Sequence, residues 1–291
     1  MMYTFSKRSA LWLSCLLLTF VFGCKKSDDN AIIPPPPVKA TLCQLQKLST
    51  YGGEYELYTF DANGFLTSIA NYAKDPSGKI PTTVTPDRLS YNDQNLLDKL
   101  TYGNGTGYEK YSYANGALSK MELYKGGKVV YQYDVTTNAD KRITALKSTN
   151  VANDPDYEST YSTKYTLDAQ GRYTRMEATN ADGTYYTIDE SAFDPTIQSP
   201  WKTLKGIPFF PGNAGVSFDL YGTYIPADAP VATKQVQFFG YEKDKYIGLK
   251  KSFDVTITYT ANTNNYVVTR KDFDALSNKS LLSDYQYSNC Q

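Results

Sequence analysis

The sequence contains no histidine, and this absence excludes more chemistry than any other feature of its composition. Without imidazole there is no His general base, no Ser-His or Cys-His nucleophile pair and no histidine ligand for zinc or copper. A glycosidase would instead need two carboxylates at a set separation, and no segment brings such a pair together. A glycine-rich phosphate loop with its lysine is absent too. We therefore expect no enzymatic activity, no catalytic residue, no metal site and no cofactor.

The sequence also lacks an excess of charge of either sign. Its 291 residues include 30 basic and 30 acidic side chains, so the formal net charge is zero. Proteins that bind nucleic acid through the phosphate backbone need a surplus of Lys and Arg. The composition therefore argues against a nucleic-acid partner.

Long hydrophobic runs are missing except near the N-terminus. Residues 10–22 form an apolar run of thirteen behind Lys7 and Arg8. A transmembrane helix needs about 20 apolar residues, whereas a basic start and a run of this length are typical of a signal peptide. We predict that residues 1–23 are a signal peptide.

Val21-Phe22-Gly23-Cys24 resembles the lipobox of bacterial lipoproteins. The resemblance implies that Cys24 is acylated, becomes the mature N-terminus and anchors the chain in a bilayer. Residues 24–39 then form a linker whose prolines, Pro34 to Pro37, favour an extended polyproline II spacer. Removal of the signal takes away two basic residues and no acidic one. The remaining chain has 28 basic and 30 acidic side chains, a formal charge of −2.

The residues after Cys24 suggest where the anchor lies. Ser27-Asp28-Asp29 resembles the export signal of surface-exposed lipoproteins of the Bacteroidota. Lys25 is not the Asp that commonly retains lipoproteins in the inner membrane. The resemblance therefore implies an anchor in the outer membrane. It favours the cell surface, and a location on the periplasmic face stays an open alternative.

Cys43 and Cys290 are the two cysteines left once Cys15 departs with the signal and Cys24 is acylated. In an oxidising compartment they can form one intramolecular disulfide, and the alternative is two buried free thiols. Bridged Cα atoms lie about 4.4–6.8 Å apart. A disulfide would make the first and last strands neighbours, so the sheet would close or fold back on itself.

The remaining chain, residues 40–291, reads as a single β-rich domain of strand-turn-strand units. Residues 58–69 alternate Tyr, Thr and Phe, turn through Asp61-Ala62-Asn63-Gly64, and continue with apolar residues. Residues 165–176 repeat this pattern, and Gly or Asn supplies the positive φ that tight hairpins require.

These units resemble the YD repeats of RHS-type bacterial proteins, in degenerate form. The whole arrangement is similar to Bacteroidota lipoproteins of a family of unknown function described as having a porin-like fold. The resemblance implies an all-β protein, and we predict a single antiparallel meander of about 12–16 short strands, strongly curved or closed like a barrel. Segments such as residues 120–124 and 267–271 are too short or too charged for the lipid-facing wall of a membrane barrel.

Residues 195–230 interrupt the strand pattern and predict a short helix with an irregular plug. The pattern over residues 199–206 predicts a helix, with Ser199 as N-cap, Pro200 at the first helical position and Gly206 as C-cap. Two interpretations of this segment stay open. The plug either buries Trp201, Phe209 and Phe210, or it exposes them as a patch that contacts a ligand or a partner.

Two functions fit these observations. The first is a lipid-anchored, monomeric binding module whose tyrosines contact a glycan or a protein. The second is an accessory lipoprotein that docks onto another outer-membrane component through its sheet edge or its plug. A contiguous strip of outward tyrosines would favour the glycan, whereas tyrosines packed within the sheet would count against it.

Overall fold

The computed structural model describes residues 43–50, 52–153, 160–208, 230–242, 245–288 and 290, which belong to one compact unit, Ala40–Gln291. The predicted signal peptide, Cys24 and the predicted linker, residues 1–39, lie outside the described residues. Sixteen strands follow one another along the chain. They are β1 Gln44–Ser49, β2 Tyr55–Phe60, β3 Leu66–Tyr72, β4 Asp87–Tyr91, β5 Leu97–Thr101, β6 Gly107–Ala114, β7 Ala117–Lys125, β8 Lys128–Thr137, β9 Ile143–Asn150, β10 Tyr161–Leu167, β11 Tyr173–Asn180, β12 Tyr185–Gln198, β13 Pro230–Glu242, β14 Lys245–Ala261, β15 Val267–Asp274 and β16 Lys279–Ser288.

Each strand pairs antiparallel with the strands before and after it, and β1 pairs with β16 to close a barrel. At this seam Leu48 lies opposite Tyr285, and both side chains are buried. The prediction of an all-β, closed antiparallel meander is confirmed. No helix in the described part of the chain is long and apolar enough to cross a membrane.

The predicted disulfide forms beside this seam. Cys43 precedes β1 and Cys290 follows β16, and their Cα atoms lie 4.5 Å apart. We call the end of the barrel that carries this disulfide the near end, and the opposite end the far end. Because the strands alternate in direction, the connections β2–β3, β4–β5 and every second one after them lie at the near end.

Five near-end hairpins share one turn geometry. In the first, the Asp61 N–H donates to the carbonyl oxygen of Phe65, and the Asp61 carboxylate accepts from the N–H groups of Asn63 and Phe65. Asn92, Asn138, Asp168 and Asn262 make the same bonds. An Asp or Asn side chain that bonds the backbone ahead of it specifies a turn locally. These turns thus fix the hairpin register from sequence alone.

A bulge follows these turns and bends the barrel wall. In the β2–β3 hairpin, Thr59 pairs with Ser68 but Phe60 pairs with Leu66, which leaves Thr67 as the extra residue. The Thr67 hydroxyl donates to the carbonyl oxygen of Thr59 at 3.0 Å. Ser119, Thr144 and Thr174 make the equivalent bond in their hairpins. Because bulges increase local twist, their repetition at one end helps the sheet curve into a barrel.

In each of the five hairpins the first residue of the second strand points into the core, as does the second residue of β7 in the β6–β7 hairpin. All are buried: Leu66, Leu97, Leu118, Ile143, Tyr173 and Val267. Tyrosines from neighbouring hairpins bond their backbone across the barrel wall. The hydroxyl of Tyr91 donates to the carbonyl oxygen of Leu66 at 2.8 Å, that of Tyr113 to Leu97 at 2.8 Å, and that of Tyr287 to Val267 at 2.6 Å. These three tyrosines therefore tie one hairpin to the next.

The two faces of the barrel wall differ in polarity. Across β5–β8 one row of paired residues faces the core, namely Leu100, Glu109, Leu123 and Tyr131. The adjacent row faces outward and is polar, namely Lys99, Lys110, Glu122 and Gln132. The structure therefore buries its apolar surface inside the barrel and presents charged side chains on this part of its outer wall.

We expect the disulfide to stabilise the closed barrel substantially. In the double variant Cys43→Ser/Cys290→Ser, the free energy of unfolding should fall by about 2–5 kcal/mol, because the unfolded chain is no longer cross-linked. Urea unfolding followed by tyrosine and tryptophan fluorescence measures the change. An unchanged urea midpoint in the double variant would show that the disulfide does not stabilise the seam.

Candidate functional site

The structure separates the sequence-predicted site residues. Cys43 and Cys290 meet in the disulfide, whereas Cys24, Phe209 and Phe210 lie outside the described residues. Trp201 is only 1% exposed and packs edge-on against Tyr58, with ring centroids 5.5 Å apart. The interpretation of Trp201 as part of an exposed ligand patch is therefore wrong, and its alternative, burial in a plug, holds for this residue.

Residues 198–208, which we call the plug segment, cross the near end of the barrel. The segment begins where the Gln198 N–H donates to Asn265 of the β14–β15 turn. It reaches the β2–β3 turn, where the Lys205 ammonium donates to the carbonyl oxygen of Asn63 at 2.7 Å. The carbonyl oxygen of Gly206 then accepts from the Leu97 N–H at 2.7 Å. These bonds hold Trp201 over the core.

The helix predicted over residues 199–206 does not form. Two successive turns replace it, in which Lys202 bonds Ser199 and Leu204 bonds Trp201. The Ser199 hydroxyl accepts from the Trp201 N–H as a cap would. A segment of eight residues gains little from isolated helix formation. Its contacts with the surrounding turns decide its path, and a Cβ on Gly206 would lie 2.0 Å from the carbonyl oxygen of Asn95.

A cavity of about 440 Å³ lies beside the plug segment at the near end. Its apolar walls come from the first residues of β7, β9 and β11 and from the plug segment. Its polar side comes from the β8–β9 turn. The lining residues are Leu96, Tyr113, Gly116, Ala117, Leu118, Asp140, Lys141, Arg142, Ile143, Tyr173, Gly206, Ile207 and Pro208.

Toward the far end, carboxylates project into the barrel and bond tyrosines. Glu109 is 2% exposed and accepts hydrogen bonds from the hydroxyls of Tyr102 and Tyr111. Glu56 is also buried and accepts from Tyr58. Burial raises the pKa of Glu56 above its usual value, opposed by the Tyr58 hydrogen bond and reinforced by the charge of Asp87. Among the described residues no three His, Cys, Asp or Glu side chains gather to hold a metal ion.

On the outer wall, four tyrosines form two stacked pairs near the far end. Tyr55 stacks on Tyr72 and Tyr108 on Tyr124, each with ring centroids 4.5 Å apart. The ammonium of Lys47 lies 4.4 Å from the centroid of Tyr55, and that of Lys99 lies 4.0 Å from the centroid of Tyr108. Tyr55 and Tyr108 thus each contact a second ring and a cation. The tyrosines form two separate pairs rather than a contiguous strip.

The exposed large hydrophobic residues among the described residues concentrate at the far end. Leu276 lies in the β15–β16 turn and is 53% exposed, and Leu281 at the start of β16 is 54% exposed. We call the set on β12–β16 the far-end patch: Tyr185, Phe239, Tyr246, Ile247, Phe273, Leu276, Leu281 and Leu282. Isolated exposed hydrophobics are ordinary, but eight on five neighbouring strands form a candidate interaction surface.

Sequence reasoning missed this patch, although a signal was present. Leu281 and Leu282 are adjacent in a strand, so one of them must face away from the core. Tyr246 and Ile247 repeat this arrangement at the start of β14. Adjacent apolar residues close to a turn therefore pointed to exposure at the far end.

No protein-family model and no curated protein matches the sequence. Solved structures of similar fold include porin-like proteins from Bacteroides. A porin-like protein from Bacteroides vulgatus superposes with a TM-score of 0.53 at 11% identity, over 84% of this chain and 99% of that chain. A porin-like protein from Bacteroides uniformis gives 0.51 at 12% identity, over 86% and 98%. At this identity the likeness concerns the fold, and it confirms the predicted porin-like architecture.

Replacing Glu56 with Gln should change how stability depends on pH. Because the pKa of Glu56 is raised in the folded protein, its protonated form is favoured there. The contribution of Glu56 to stability should therefore be greatest below the unfolded-chain pKa of about 4.3 and should be lost as pH rises through the raised value. Glu56→Gln should be more stable than the parent protein at pH 7, and the two should converge near pH 4.

Urea midpoints measured between pH 4 and pH 8 provide the test, with Glu54→Gln as the control because Glu54 is not buried. A Glu56→Gln variant that is less stable than the parent protein at pH 7 would contradict this account.

Proposed function

We propose that the chain is a lipid-anchored, non-catalytic outer-membrane protein that docks through its far-end patch onto a protein partner. The observation that carries this proposal is that the exposed large hydrophobic side chains of the described residues lie at one end of the barrel. Specific protein interfaces have an apolar centre rich in aromatic side chains, and the patch supplies Tyr185, Phe239, Tyr246 and Phe273.

The polarity of the barrel wall supports anchoring by lipid. The outward row across β5–β8 carries Lys99, Lys110 and Glu122. A charged side chain on a lipid-facing wall costs up to about 2–4 kcal/mol at the bilayer midplane. Such a wall suits a barrel that stands in water and is held by an acylated Cys24. The chain between the anchor and the barrel would join the barrel at Cys43, which lies at the near end.

The charges around the patch indicate the chemistry of the partner. Lys250, Lys271 and Lys279 are exposed on β14–β16 and form no ion pair within the described part of the chain. Lys271 lies directly opposite Leu282 in the β15–β16 pairing. A complementary protein would present an apolar ridge flanked by Asp and Glu, because complementary charges steer association and set the register of the interface.

The stacked tyrosine pairs of the outer wall are poorly suited to a glycan. Sugars stack on free aromatic faces, but Tyr55 and Tyr108 each lie against a second ring and a lysine. Many other tyrosines are buried in the core. Docking through a sheet edge, one form of the accessory function, is not offered by the seam itself, where Asp284–Ser288 of β16 pair with Gln44–Ser49 of β1.

Replacement of Cys24 with Ala tests the anchor. We expect the parent protein to fractionate with the outer membrane and to be digested by protease added to intact cells. The Cys24→Ala variant should appear in the soluble fraction, because no lipid holds it. Retention of Cys24→Ala in the membrane fraction would contradict lipid anchoring, and protease resistance in intact cells would place the barrel on the periplasmic face.

Site-specific photocrosslinking in the producing cells tests docking. A benzophenone amino acid at Leu276 or Leu282 should yield one protein adduct. The same amino acid at Thr263, exposed in the β14–β15 turn at the near end, serves as the control and should yield none. The adduct should weaken at least tenfold in Lys271→Glu, and the crosslinked partner peptide should be flanked by acidic residues.

Equal crosslinking from Thr263, or an adduct that is insensitive to Lys271→Glu, would contradict docking through the far-end patch. Saturable binding to an array of glycans that survives Leu282→Ser would favour the glycan function instead.

A further inference from the structure

We propose that the near-end cavity binds a small anionic amphiphile, with its anionic group on Lys141. The cavity, about 440 Å³, falls within the range of about 300–1,000 Å³ that small-molecule sites occupy. It lies at the opposite end of the barrel from the far-end patch, so this proposal is independent of docking.

The walls of the cavity suit an apolar body. Leu118 and Ile143 contribute from the starts of β7 and β9, Tyr173 from β11, and Ile207 from the plug segment. Each is at most 9% exposed, so little of this apolar wall meets water directly. The apolar surface that a ligand itself removes from water against such a wall favours binding by about 25 cal/mol per Å².

The cationic side of the cavity comes from the β8–β9 turn. Lys141, Arg142 and Asp140 all line it, so the turn brings two positive charges and one negative charge. The Lys141 ammonium lies against the β6–β7 turn, since a Cβ on Gly116 would be 2.9 Å from it. The Arg142 guanidinium reaches the β10–β11 turn, where its Nε would lie 3.8 Å from a Cβ on Gly171.

Lys141 occupies a backbone position that disfavours lysine. It has φ of +62° in the left-handed region. The equivalent position in the four sister turns is always Gly or Asn, namely Gly64, Asn95, Gly171 and Asn265. A non-glycine side chain in this region is held against its own preference, and Asn tolerates it better than Lys. Such strained positions concentrate at functional sites.

The charge of Lys141 is left unbalanced. Within the described residues Lys141 forms no ion pair, although Asp140 is its neighbour in the chain. An ammonium at the side of an apolar cavity is therefore available to a carboxylate or another oxyanion. The body of the ligand would be a short aliphatic chain or one to two aromatic rings.

The variant Lys141→Asn separates a binding role from a structural one. Asn occupies this position in the β4–β5 and β14–β15 turns, so the variant should fold and its thermal midpoint should rise by about 2–4 °C. Lys128→Asn, a matched charge removal at the other end of β8, is the control. Both are made in the Leu276→Ser/Leu282→Ser background to remove probe binding at the far-end patch.

The probe is the aromatic sulfonate 8-anilinonaphthalene-1-sulfonate, followed by fluorescence and displaced by octanoate or octan-1-ol. We expect saturable binding, displacement at least tenfold better by octanoate than by octan-1-ol, and loss of that preference in Lys141→Asn but not in Lys128→Asn. The variant Ala117→Trp, whose larger side chain fills the cavity, should abolish binding of the probe and therefore its displacement by octanoate and by octan-1-ol.

Equal displacement by octanoate and octan-1-ol would overturn the proposal, as would an unchanged preference in Lys141→Asn. Binding that survives Ala117→Trp would place the probe elsewhere and would also overturn it.

Discussion

The pairing of β1 with β16 determines what the rest of the molecule can do. In an open sheet of sixteen strands both edges would offer free N–H and C=O groups to other chains. Here the pairing of Leu48 with Tyr285 and the Cys43–Cys290 disulfide join the first strand to the last, so the paired parts of the two strands, Gln44–Ser49 and Asp284–Ser288, offer no free edge to each other's side of the sheet. Binding surfaces must then lie on the outer wall or at the two ends, and both of our proposals lie at the ends.

Local chemistry explains why the fold was predictable. Asp61 and Asp168 specify their turns through bonds to their own backbone, and these bonds depend on a few consecutive residues. Closure was predictable for a different reason, because two cysteines at the chain ends have one possible partner each. The hairpins and their closure therefore followed from features that can be read without knowledge of tertiary contacts.

Tertiary contacts explain what could not be predicted. Ser199, Pro200 and Gly206 have the residue types of a helix, yet the approach of Gly206 to Asn95 and the bond from Lys205 to Asn63 set another path. The same contacts bury Trp201, which sequence alone left between core and surface. The cavity beside Lys141 and the far-end patch arise from strands distant in sequence, so no local pattern contains them. Tyrosine, which suggested a ligand platform by its abundance, is used largely for the core and for bonds between hairpins.

Residue-resolved amide hydrogen exchange on β1 and β16 tests barrel closure most directly. In a closed barrel Asp284–Ser288 of β16 pair with Gln44–Ser49 of β1, so the amides that bond across this seam should exchange as slowly as those of the β7–β8 hairpin on the opposite part of the wall. In an open sheet, these seam amides would face solvent. Fast exchange of the seam amides, beside slow exchange in β7 and β8, would contradict the closed barrel.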